Sequence, residues 1–143
     1  MLFEVGVFYF LGRDFTMRSI LYVGAGSFIG GVFRYLLTTW ASKTLDPSFP
    51  YGTLAVNVLG CLLIGFLAGL AESRLTFTRD ARLFLVVGIV GGFTTFSAFA
   101  WETFSLARNT QSIAALNIAL QLLLGLLAVC IGNILALATN RFT

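Results

Sequence analysis

Four long apolar stretches, parted by short polar joints, constrain this chain more than any other feature. They run from about Ser19 to Trp40, Gly52 to Ala71, Leu83 to Leu106 and Ile113 to Ala138. Each is long enough to cross the roughly 30 Å hydrocarbon core of a bilayer as a helix. Lipid offers no hydrogen bonds, so only helices and closed barrels can span it. A barrel strand would alternate apolar and polar residues, and these runs do not. The pattern predicts an all-α membrane protein of four transmembrane helices. Composition agrees, with 58% hydrophobic and 10% charged residues, where a water-facing domain carries roughly 25% charged. In 143 residues, four spans leave no length for a separate soluble domain.

The joints carry the charge. Residues 41–51 hold Lys43, Asp46 and both prolines; residues 72–82 hold Glu72, Arg74, Arg79, Asp80 and Arg82; residues 108–112 make a tight polar turn. A formal net charge of +3, from nine Lys/Arg and six Asp/Glu, is too sparse for a nucleic-acid surface and marks membrane ends instead. Arg13, Arg18, Arg74, Arg79, Arg82 and Arg141 fall on the side of the termini, with Lys43 and Arg108 opposite. That bias favours cytoplasmic termini, but it thins once residues 1–16 are set aside and Arg34 is counted opposite, leaving room for insertion both ways. Residues 1–16 are apolar yet too short to span and lack a small-residue cleavage site before Met17. They are an N-terminal extension, either an upstream mis-start or a segment lying on the membrane surface, ahead of a single domain over 17–143.

Several function classes drop out. The chain has no histidine, the commonest transition-metal ligand and general base, and no nucleophile–base pair, so it does not read as an enzyme. Cys61 and Cys130 lie inside apolar runs without a CxxC pair and read as small buried hydrophobes. A proton-coupled small multidrug exporter, the other four-span class considered, needs a carboxylate in the first span. Ser19 to Trp40 contains none.

Glycines four apart (Gly26/Gly30, Gly65/Gly69, Gly88/Gly92) let helices approach closely. The third span is the most informative. There Gly91 and Gly92 precede Thr94, Thr95 and Ser97. Glycine weakens a helix and hydroxyls can take up freed backbone groups, so this is either a helix break or an intact helix with hydroxyls bonded back to its carbonyls. A break would free carbonyl oxygens suited to a hard cation such as sodium. Phe96 and Phe99 follow on one face, continued by Glu102 and Thr103. An aromatic ring has a positive edge, which can contact an anion without trapping it. In the second span Thr53 and Asn57 share a face, and in the fourth Asn117 and Gln121 are four apart. Buried amides need partners, either across a helix interface or along a solvated path. Neutral side chains carrying donors fit an anion path better than a cation path.

VGAGSFIGGVFRYLL (Val23 to Leu37), FPYGTLAVNVLGCLLIGFLAG (Phe49 to Gly69) and GIVGGFTTFSAFAWET (Gly88 to Thr103) resemble the signature regions of the Fluc/CrcB fluoride channels. With the fourth span, the resemblance runs from about Met17 to the C-terminus. It implies a passive fluoride-selective channel that exports cytoplasmic fluoride from a bacterial inner membrane. It also implies an antiparallel, dual-topology homodimer, the third helix broken mid-membrane, and a sodium ion at the dimer centre on the carbonyls of Gly91 and Thr94. The fluoride path would pass Asn57, Phe96, Phe99, Ser97, Thr103, Asn117, Gln121 and Glu102. Arg34 would be the family's basic residue at the end of the first helix. Asn117 and Gln121 stand where the family usually shows a tyrosine and then a serine.

Overall fold

A computed structural model describes residues 16–72 and 78–139 of the chain; the expectation for residues 1–15 lies outside them. Among the described residues every regular element is a helix. We number the helices α1 (Met17–Thr44), α2 (Tyr51–Glu72), α3 (79–93), α4 (Phe96–Asn109) and α5 (Gln111–Thr139). Four stretches among the described residues are long and apolar enough to cross a membrane: α1, α2, Arg79–Asn109 and α5. Each outruns its sequence estimate by a few residues, because hydropathy fades before the helix does.

The ends have local causes. Thr16 caps α1, its hydroxyl accepting the Ser19 N–H at 3.2 Å. α1 stops at Thr44, two residues before the Asp46–Pro47 step, where a proline disfavours helix in its predecessor. The Asp46 carboxylate then accepts the Ser48 N–H at 2.9 Å, a turn contact that holds its pKa below the usual value. Pro50 has no N–H to lose and takes the Leu54 N–H on its carbonyl as α2 begins. Thr78 caps α3, accepting the Ala81 N–H at 3.3 Å.

α3 is irregular. After one α-turn (Arg79–Arg82) it widens into a π-helix over Leu83–Val90, then tightens again at Gly91–Phe93. A π-helix of eight residues is rare. Regular 3.6-residue spacing does not hold across it, so facing residues in this stretch had to be found in three dimensions.

Packing follows the glycines. α1 lies along α3, α2 lies along α5, α1 also touches α2, and α4 rests on α5. At the first seam a methyl placed on Gly88 would stand 2.8 Å from Gly26 Cα, and one on Gly92 would stand 2.8 Å from Ser27 Cα. At the second, a methyl on Gly132 would stand 2.7 Å from Phe66 N, and one on Gly69 would stand 2.8 Å from Ala136 Cβ. Backbones touch here, which in lipid replaces the missing hydrophobic drive with van der Waals contact. Large side chains point outward, among them Phe28, Leu122, Leu123 and Leu126. Cys61 is partly buried, whereas Cys130 is exposed on the outer face of α5 rather than buried as its apolar surroundings suggested; both are free thiols. Arg18 meets Asp80 at 2.7 Å where α1 and α3 begin. That exposed pair contributes little to stability.

Gly132→Val should therefore cost about 1–3 kcal/mol through overpacking, read as a lowered midpoint in thermal unfolding of the detergent-solubilised protein. Gly24→Ala, whose added methyl meets nothing within 4 Å, should leave the midpoint unchanged or raise it slightly. Equal losses in both variants would contradict the packing described.

Candidate functional site

Helix α3 ends at Phe93 and α4 starts at Phe96; between them Thr94 (φ −79°, ψ 159°) and Thr95 (φ −151°, ψ 117°) are extended. Two extended residues lift several backbone groups out of the helical ladder, and each needs another partner. The neighbouring side chains supply them. The Thr95 N–H donates to Asn57 Oδ1 at 2.9 Å, and Asn57 Nδ2 donates back to the Thr95 carbonyl at 3.1 Å. The Thr95 hydroxyl caps α4 by accepting the Ala98 N–H at 3.3 Å. The Thr94 hydroxyl donates to the Val90 carbonyl at 3.1 Å, beside its own N–H at 3.0 Å. Arg34 reaches from α1 to the Thr94 carbonyl at 3.3 Å. Three helices therefore converge on two residues.

From this point a row of polar side chains continues along the α2, α4 and α5 faces. Asn57 Nδ2 also donates to Gln121 Oε1 at 3.1 Å. Thr103 donates its hydroxyl hydrogen to the Phe99 carbonyl at 2.7 Å and accepts from Asn117 Nδ2 at 2.8 Å. Thr53 donates to Glu102 Oε1 at 2.7 Å. Asn117 is fully buried and Thr53 is 3% exposed. Three buried atoms of this row lack a partner: Glu102 Oε2, Asn117 Oδ1 and Gln121 Nε2. Buried polar atoms without partners are uncommon, and each calls for a physical explanation. A cavity of about 650 Å³ opens at the 45–50 joint, lined by Tyr35, Thr38, Asp46 and Tyr51, and reaches Thr53 and Glu102. The Thr53–Glu102 pair therefore borders an open cavity.

Phe96 and Phe99 meet edge to face, with centroids 5.6 Å apart. Phe96 is 78% exposed in the single chain, on the outside of the bundle. Ser97 is exposed beside Thr95, their hydroxyls 3.3 Å apart. Gly91 is exposed. The Thr95 N–H that its carbonyl would accept in an unbroken helix goes to Asn57 instead.

The row thus consists of three hydrogen-bonded pairs, Asn57–Gln121, Thr103–Asn117 and Thr53–Glu102, that follow one another at four-residue spacing on α2 and α5. Gly91, Thr94 and Arg34 form a neighbouring group around the extended residues, and Phe96, Phe99 and Ser97 lie at the start of α4. Two residues matter more than spacing indicated. Thr53 shares a face with Asn57, which was a usable signal for its contact with Glu102. Thr95 acts through its backbone, which leaves no mark in side-chain patterns.

Replacing Asn57 by Leu would strip both Thr95 backbone groups of their partner. The variant should lose about 1–3 kcal/mol for the unsatisfied groups, seen as a lower midpoint of chemical unfolding in micelles. An unchanged midpoint would mean that Asn57 does not hold the extended residues.

Comparison with known proteins gives a consistent result. Residues 21–133 match the family described as "CrcB-like protein, Camphor Resistance (CrcB)". The chain is 45% identical over 127 residues, 88% of its length and all of the relative's, to a protein of Agrobacterium fabrum named "Fluoride-specific ion channel FluC". A Chloroflexus aurantiacus protein of the same name is 43% identical over 117 residues, covering 81% of this chain and 93% of the relative. One from Clostridium perfringens is 44% identical over 117 residues, covering 81% and 91%.

Proposed function

This chain belongs to the CrcB-like family, and we propose that it is a passive, fluoride-selective ion channel through which cytoplasmic fluoride leaves the cell. The observation that carries the reading is the row of uncharged amides and hydroxyls at Asn57, Gln121, Thr103 and Asn117, inside a chain whose relatives are named for fluoride. Fluoride is small and strongly hydrated, so losing water is the main barrier to crossing. Amide N–H groups without a protein partner, as at Gln121 Nε2, replace part of that shell, and the positive edges of Phe96 and Phe99 replace more. None of these groups carries a fixed positive charge, which lets the ion leave as well as enter. α1 contains no carboxylate that could couple protons to an exported cation. A bacterial inner membrane is the expected location. In an acidic medium fluoride enters as the neutral acid, ionises inside, and needs only an open path to leave.

An antiparallel, dual-topology homodimer with sodium at its centre belongs to the same proposal, with the interruption at Thr94–Thr95 at membrane depth. The residues suit the ion. Gly91 keeps a carbonyl deprived of its helical N–H, and the Thr94 carbonyl has a second lone pair beside the one facing Arg34. Unwound carbonyls of this kind ligate sodium in membrane proteins. Two carbonyls from one chain are too few for an alkali cation, and a two-fold axis would double them. An apolar hollow of about 590 Å³ beside them, lined by Gly30, Phe33, Leu36, Leu63, Ile89 and Phe93, suits a second copy.

Liposomes loaded with potassium fluoride and carrying the purified protein should release fluoride rapidly to a fluoride-selective electrode, while chloride-loaded vesicles stay silent. Phe96→Ile and Phe99→Ile should each cut the rate by about tenfold or more, the equivalent of roughly 1.4 kcal/mol. No release from folded wild-type protein would sink the channel reading, and normal release by both variants would remove the ring edges from the mechanism. Replacing sodium by a bulky organic cation should lower the thermal midpoint of the solubilised dimer, since a ligand bound only to the folded state stabilises it by mass action. A midpoint indifferent to sodium would contradict the central ion.

A further inference from the structure

We infer that Gly60 is a positioning residue for the cation site: the notch it leaves on α2 fixes the Thr94–Thr95 peptide plane, and with it the Thr94 carbonyl. This inference rests on the sodium reading above and goes beyond it, since Gly60 has no side chain to offer a cation. A peptide unit is planar, so the Thr94 carbonyl and the Thr95 N–H turn together. Two hydrogen bonds hold the ends of that unit. Arg34 Nη1 donates to the carbonyl at 3.3 Å, and the N–H donates to Asn57 Oδ1 at 2.9 Å. A hydrogen bond weakens steeply only when its angle falls below about 120°, so these two leave the plane room to rock.

The Thr94 side chain removes that freedom. Threonine is β-branched and stiff about Cα–Cβ. The Thr94 hydroxyl donates to the Val90 carbonyl of α3 at 3.1 Å. With the hydroxyl held there, the handedness of Cβ leaves the γ-methyl one direction, and it points at Gly60, which is buried on α2. A methyl on Gly60 would overlap that γ-methyl, while the next atoms, Thr94 Cβ and Phe93 Cδ1, would stand at 3.6 and 3.7 Å, an ordinary contact. The notch thus seats a single atom. Gly60 also lies one turn after Asn57 on the same face of α2. That face holds the Thr95 N–H with an amide and the Thr94 methyl with an empty place, and α3 holds the hydroxyl. Filling the notch pushes Thr94 off α2 and swings its carbonyl. Groups that orient a metal ligand typically set affinity by about tenfold to a hundredfold, and at a two-fold axis one substitution moves a carbonyl in both copies.

Thermal midpoints of the solubilised dimer across a sodium titration, with a bulky organic cation keeping the ionic strength constant, test the assignment. Gly60→Ala should raise the sodium concentration that gives half of the midpoint shift by about tenfold or more. Combining Gly60→Ala with Thr94→Ser removes the overlapping γ-methyl and keeps the hydroxyl, so that concentration should return close to the wild-type value. Gly132→Val, a packing loss at the other seam, should lower the midpoint and leave the sodium dependence where it is in the wild type. A Gly60→Ala protein with a lowered midpoint but wild-type sodium dependence overturns the assignment. So does a double variant that needs as much sodium as Gly60→Ala alone. Should Gly60→Ala fail to fold, the double variant decides: folding with wild-type sodium dependence sustains the role of the notch, and no recovery removes it. A wild-type midpoint indifferent to sodium would instead remove the cation reading itself, and the assignment with it.

Discussion

The two-way pairing of Asn57 with the Thr95 backbone is the contact on which the rest of the site depends. A chain in lipid cannot leave N–H and C=O groups bare, so irregular backbone persists only where side chains answer it. Here one amide answers both groups of one residue, donating to its carbonyl and accepting from its N–H. Because both ends of the Asn57 amide are thereby assigned, its remaining hydrogen has one direction to point. The orientation of Gln121 follows from that.

Close approach of the helices makes the pairing possible. The glycines of α1 and α3, and those of α2 and α5, remove side chains where backbones meet. A methyl on Gly60 would collide with Thr94 Cγ2, so even the placement of the extended residues against α2 depends on a missing side chain. Packing and polarity are therefore coupled: the bundle must be tight for one short side chain on α2 to bridge to α4. The π-helical stretch of α3 serves the same end, since α1 packs along it through Gly26 and Gly88.

The polar row is also notable for what it does not use. Its members are amides and hydroxyls, with Glu102 tied to Thr53 beside the open cavity and Arg34 turned to the Thr94 carbonyl. Full charges at membrane depth are costly to desolvate and bind counter-ions tightly. Neutral dipoles carry no such charge to desolvate, so the row can stay polar inside the bundle at lower cost.

Much of this was legible in the residues. Apolar run length decides that helices span, since a bilayer sets a minimum length and water-facing composition is absent; Gly26, Gly30 and Gly65 marked close contacts because small residues are what lipid-embedded interfaces use. Asn57, Asn117 and Gln121 stood out as polar side chains in hydrocarbon, which always need a reason. The Gly91–Thr95 stretch was singled out by composition alone. Only the tertiary structure decided which atom of each amide faces which partner. Asn57 meets Thr95 across 38 residues of sequence and Gln121 across 64, and no local spacing rule reaches so far. The choice between donor and acceptor ends is settled by the fixed polarity of a backbone N–H, which acts only once folding has brought it to the side chain.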